Sequence, residues 1–127
     1  MDQTGGLLHV TIIEARLSRD VELFGTQDPY CKIEYMGRKY ETQVCLNGGK
    51  NPVWNNSFDF ELQSVKDDLE IQVKDKNLIG AEMIGGGVMK ASSLCINNGV
   101  RDWFPIEYDN DRVGDVLIET RFTPRYQ

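Results

Sequence analysis

Leu8-His9-Val10-Thr11-Ile12 alternates apolar and polar residues, and Phe58-Asp59-Phe60-Glu61-Leu62 does the same. Successive side chains of an extended chain point to opposite faces, so such period-two runs mark half-buried strands. The same test predicts strands over 7–15, 28–35, 39–45, 69–75, 84–89, 101–108 and 115–122, each bounded by Gly, Asn, Asp or Pro. Short strands at turn-punctuated intervals predict an all-β architecture, an eight-stranded antiparallel β-sandwich. Only 90–96 has the composition for a helical turn.

The 127 residues contain no repeat, linker or low-complexity stretch, so residues 1–127 are expected to form a single domain with its core over about 7–122. Apolar runs such as 10–13 are far too short for a membrane-spanning helix, and the first residues lack the basic and apolar regions of a secretory signal. A cytoplasmic location is therefore expected. Cys31, Cys45 and Cys95 have no metal-ligand spacing and are expected to be reduced structural thiols. The formal charge of −6 excludes constitutive nucleic-acid binding, which needs a concentrated basic face. It also opposes unaided attraction to anionic lipid. Any anionic partner has to be recruited by a cation.

Antiparallel connectivity alternates the ends at which the loops emerge. The connections over 16–27, 46–53 and 76–83 are thus expected at one end, and those at Met36, Ser64 and Ala91 at the other. Two of the same-end loops combine acids with apolar residues. The first holds Asp20, Glu22, Leu23, Phe24 and Asp28; the third holds Asp75, Asn77, Leu78, Ile79 and Glu82. Glu22, Asp28, Asp75 and Glu82 brought together repel one another unless a cation lies among them, and Asn77 adds a neutral oxygen. Hard oxygen donors without His or Cys select calcium, and flexible loops suit its irregular coordination better than the rigid octahedron of magnesium. Leu23, Phe24, Leu78 and Ile79 are interior-type residues in wet positions. They either fold back to cap the sandwich or enter a lipid interface, where full burial is worth roughly 1.5 to 3 kcal/mol each.

Three motifs in order sharpen this reading: Gly25-Thr26-Gln27-Asp28-Pro29-Tyr30, Asn51-Pro52-Val53-Trp54-Asn55 before the strand at Phe58, and Val73-Lys74-Asp75 with Met83-Ile84-Gly85. Together they resemble the C2 domain, the calcium- and phospholipid-binding module of synaptotagmins and protein kinases C, over about 7–122. A first strand at 7–15 and a closing one at 114–122 resemble the circularly permuted type II form, found also in small plant proteins made of one such domain. The resemblance implies metal ligands at Glu22, Asp28, Asp75, Asn77 and Glu82, with Asp20 as a substitute for Glu22. Only Asp28 and Asp75 keep the family's aspartate. Glu22 and Glu82 lengthen the arm by a methylene, and Asn77 removes a charge, which implies calcium affinity in the weaker range, on the order of 10⁻⁵ to 10⁻³ M.

The expected function is calcium-regulated docking on an anionic phospholipid membrane, with the chain a peripheral membrane protein when calcium rises. Lys32, Arg38 and Lys39 could form a small basic patch for phosphoinositide or an ordinary solvated face. An enzyme and a small-molecule substrate are not expected. The single His9 lies in a strand, and neither a Gly-x-Ser-x-Gly elbow nor a phosphate-cradling loop is present. The alternative is a calcium-independent module with a degenerate metal site, binding lipid or a protein partner through a sheet face or edge strand.

Overall fold

The computed structural model describes residues 5–125. Its strands are β1 (Gly6–Leu17), β2 (Pro29–Tyr35), β3 (Arg38–Glu41), β4 (Val53–Leu62), β5 (Asp68–Asn77), β6 (Gly80–Lys90), β7 (Arg101–Tyr108) and β8 (Asp111–Pro124). All pairs are antiparallel, in the spatial order β3-β2-β5-β6-β7-β8-β1-β4. β6 and β7 share only the pair Gly86↔Glu107. The sheet therefore divides there into two four-stranded leaves, β3-β2-β5-β6 and β7-β8-β1-β4. Ile33, Ile71 and Val73 of the first leaf and Leu8, Val10, Phe60 and Ile118 of the second belong to one buried cluster, which makes the sandwich core. β8 lies between β7 and β1 and pairs with β1 from Gly6↔Pro124 to Leu17↔Gly114. This is the type II strand order.

Alternation accounts for the buried faces, and the exceptions have local causes. Ile12 and Ile13 are both buried, which strict alternation forbids. A bulge between Ile12 and Glu14 restores the phase, so that Ala15 and Leu17 again face inward. Gly85-Gly86-Gly87 sits at the seam between the leaves. A Cβ on Gly85 would lie 2.6 Å from Val113 Cγ2, and one on Gly87 would lie 3.1 Å from the Pro105 carbonyl oxygen. Missing side chains thus permit the close approach that turns one leaf onto the other. The turn at 90–96 is observed as a short helix, Ala91–Leu94, followed by a 3-10 turn, Ile96–Asn98.

Two expected boundaries change. The strand predicted over 39–45 ends at Glu41, because the buried Thr42 substitutes its hydroxyl for a ladder carbonyl: Cys31 N donates to Thr42 Oγ1 at 2.8 Å. The long loop predicted over 76–83 is instead a two-residue hairpin. β5 and β6 stay paired through Asn77↔Gly80, leaving only Leu78 and Ile79 at the tip. The ends of the connections are as alternation requires. Loop one (18–28), loop two (42–52), the Leu78-Ile79 tip and the Asp109-Asn110 turn share one end, and Met36-Gly37, 63–67 and 91–100 take the other.

Candidate functional site

Asp75 is a fully buried polar residue at the loop end. It follows Leu69, Ile71 and Val73 on the inward face of β5. Its Oδ1 accepts the Asp28 amide at 2.6 Å. Its Oδ2 is buried and, while Glu22 is ionised, has no hydrogen-bond donor. An unpaired buried carboxylate oxygen is costly, and it is the feature a bound cation would satisfy.

Asp28 ties the three loops together. Its amide meets Asp75, its carbonyl oxygen accepts Lys76 N at 3.0 Å from β5, and its Oδ1 accepts Asn47 N at 2.7 Å from loop two. Glu22 stands partly exposed on loop one beside this pair. Its carboxyl is raised from 4.5 to about 7, first because a proton on it makes a hydrogen bond to Asp75, then because of the charge of Asp75, desolvation, and the charges of Asp28 and Asp20. Like charges already favour a cation or a proton at this spot. Asp20 is occupied locally, accepting Glu22 N at 2.9 Å.

Glu82 lies directly opposite Asp75 across the β5–β6 pair, and Asn77 stands opposite Gly80. Asn77 Oδ1 accepts Ile79 N at 3.2 Å, so it also shapes the hairpin tip. Glu22, Asp28, Asn77 and Glu82 line one groove of about 1020 Å³ between loops one and three, together with Lys76, which sequence reasoning did not single out. Among the described residues no three His, Cys, Asp or Glu side chains converge tightly enough to enclose an ion. The donors are all hard oxygens and the buried Asp75 carboxylate adjoins two of them, Asp28 and Glu22, so the residues fit calcium chemically while the groove stands open.

The apolar tips do not fold back. Leu23 is 91 % exposed, Phe24 89 %, Leu78 104 % and Ile79 99 %, and all four line the mouth of the same groove. Capping of the sandwich by these residues is thereby excluded.

Gln27 was not anticipated. It is fully buried, its Oε1 accepts Val21 N at 3.1 Å, and its Nε2 donates to the carbonyls of Arg19 at 3.1 Å and Gly49 at 2.9 Å. The side chain clasps loop one to loop two. No periodicity marks such a role. The only available signal was a long amide immediately before the aspartate of the Asp-Pro-Tyr motif.

The basic trio does not form one patch. Lys32 stands opposite Glu41 and Lys39 opposite Glu34, while Arg38 stands opposite the buried Tyr35 on the other face. His9 lies in β1 as a partly exposed residue with Nδ1 2.7 Å from Asp59 Oδ1. The cysteines are free, and burial pushes the Cys31 thiol upward and that of Cys95 to about 11, far from a reactive thiolate.

The profile of the C2 domain matches residues 6–106. The chain belongs to the C2 domain family. Synaptotagmin-5 of Arabidopsis thaliana is 30 % identical over 120 residues, which cover 92 % of this chain and 21 % of that protein, so this C2 domain spans only a small part of that relative's length. The first C2 domain of plant extended synaptotagmin 1 superimposes with a TM-score of 0.85 at 23 % identity, covering 98 % of both chains. The calcium-bound tandem C2 domains of extended synaptotagmin 2 give a TM-score of 0.81 at 18 % identity, covering 98 % of this chain and 48 % of that one. The two structural likenesses establish the fold. Membership of the C2 family supports a membrane- or lipid-binding module. No helix among the described residues is long and apolar enough to cross a membrane.

Proposed function

We propose that this C2 domain is a non-catalytic module that docks on anionic phospholipid membranes when calcium binds among Glu22, Asp28, Asp75, Asn77 and Glu82. One observation supports the reading: the buried Asp75 carboxylate, one oxygen of which meets no N–H donor, lies beside acids that repel one another, and Glu22 and Asp28 of these line a groove rimmed by four bare apolar side chains. Calcium, when bound, supplies the positive charge that cancels this repulsion, and two ions would bring the formal charge of the chain from −6 to −2. The apolar tips Leu23, Phe24, Leu78 and Ile79 then provide the drive for docking, while Asp28 and Asp75 hold the ion from two sides. The chain works in the cytoplasm and moves to the membrane surface as calcium rises.

A ligand that binds only the folded carboxylates stabilises the fold by RT ln(1 + [L]/Kd). With millimolar calcium and a Kd on the order of 10⁻⁴ M the gain is about 1.4 kcal/mol. Thermal denaturation in calcium should give a higher Tm than in excess chelator, and Asp28→Asn or Asp75→Asn should remove the difference. An identical Tm in both conditions would favour a second reading, a calcium-independent lipid- or protein-binding module. The open groove, in which no three ligating side chains converge among the described residues, is the observation on its side.

A further inference from the structure

We propose that loop two supplies a fifth membrane-contact residue, Leu46, so that the domain docks on three loops rather than on two. This rests on the lipid-binding reading of the same end of the sandwich. Leu46 is 75 % exposed in a loop that contains no acid.

The backbone under Leu46 is firmly built. Gly48 N donates to the Cys45 carbonyl at 3.1 Å and Asn51 N to the Gly48 carbonyl at 3.1 Å, giving two consecutive turns. Asn47 (φ 57) and Gly49 (φ 59) occupy their left-handed corners. Leu46 is the second residue of the first turn, where the side chain leaves the protein at the bend. The residue after it is fastened to Asp28 Oδ1 through Asn47 N at 2.7 Å. Gly49 is fastened on both sides to Gln27, donating to its carbonyl at 3.1 Å and accepting its side-chain amide at 2.9 Å. Leu46 is thus held next to the floor of the candidate metal site by hydrogen bonds that do not involve its own side chain. The turn closes without burying the leucine.

A bilayer is the occupant this arrangement fits. Five of the exposed apolar side chains at this end, Leu23, Phe24, Leu46, Leu78 and Ile79, stand on three separate tips. A protein partner would need a matched pocket for each tip, whereas a fluid interface conforms to separated projections. Continuity with the loop one and loop three tips places Leu46 on the same surface.

The test uses vesicles of phosphatidylcholine and phosphatidylserine with calcium, comparing wild type with Leu46→Ser, Phe24→Ser and Met36→Ser, the last at the opposite, exposed end. Leu46→Ser should weaken partitioning about three- to tenfold, the share of a leucine's transfer free energy that partial insertion recovers. Its Tm and calcium-induced Tm shift should stay unchanged, and Met36→Ser should bind as wild type. Leu46→Trp should bind normally and show quenching by acyl-chain-brominated lipid beyond that of Trp54 and Trp103. Wild-type partitioning of Leu46→Ser alongside weakened Phe24→Ser would overturn the Leu46 contact and leave the lipid-binding reading standing. No loss in either variant, or no vesicle binding by wild type, would overturn both.

Discussion

Glu22 and Asp75 carry opposite kinds of information about the same site. Asp75 is buried with an oxygen that meets no donor while Glu22 is ionised, and Glu22 is a partly exposed acid whose carboxyl its neighbours raise to about 7. The sign of the pH effect follows. A carboxyl raised from 4.5 to about 7 in the fold contributes stability that is fully present below 4.5 and is lost as pH rises through 7. Glu22→Gln should therefore lack a loss of stability that wild type shows across this window, and Asp75→Asn should bring the Glu22 titration back toward 4.5. Carbon-detected titration of the Glu22 carboxyl and pH-dependent melts check both, and a wild-type Glu22 titrating at 4.5 would contradict them. Calcium binding near pH 6 should also expel a proton that is absent well above pH 7, measurable by calorimetry in buffers of different ionisation enthalpy. Asp28 and Asp75 were legible as candidate ligands because each sits in a motif at fixed spacing. Their backbone hydrogen bonds were not, since those depend on loops meeting that are distant in sequence.

Among the elements, loop one owes its shape to Gln27 more than to any acid. Three partners in two loops depend on one buried amide, Val21 N, the Arg19 carbonyl and the Gly49 carbonyl. Gln27→Ala should cost about 1 to 3 kcal/mol by leaving buried polar groups unsatisfied. Faster hydrogen exchange at Val21 should accompany the loss, whereas exchange unchanged at Val21 would show that loop one does not depend on the clasp. The strands themselves were largely readable, since period-two alternation follows from one buried face. Where it misled, hydrogen bonding was the reason. Asn77 turns a tight hairpin by accepting Ile79 N, so what reads as a loop of several residues is paired strand carrying Asp75, Asn77 and Glu82 in register. The Thr42 hydroxyl ends β3 early in the same manner, replacing a backbone acceptor with a side chain that propensity treats as strand-forming.

At the scale of the molecule, charge and apolar surface have separate tasks. The outer face of β2 and β3 sets Lys32 against Glu41 and Lys39 against Glu34, so it offers no basic field to an anionic membrane. In the proposed function docking therefore depends on the loop end, where the four tips of loops one and three are almost fully exposed. The sandwich and its strand order were legible because alternation, turn residues and motif order agree on them. The exposure of the tips was not, because an apolar residue in a loop can equally cap the core. If calcium removes repulsion and apolar burial drives docking, binding should need calcium yet survive moderate salt, since burial is not screened. The most direct test is co-sedimentation with phosphatidylcholine–phosphatidylserine vesicles in calcium and in chelator, at low and moderate salt, for wild type and Phe24→Ser/Ile79→Ser. Expected is calcium-dependent, salt-tolerant binding by wild type, weakened by at least about tenfold in the double variant. Equal binding by both proteins, or binding by wild type that is the same in calcium and in chelator, would contradict it.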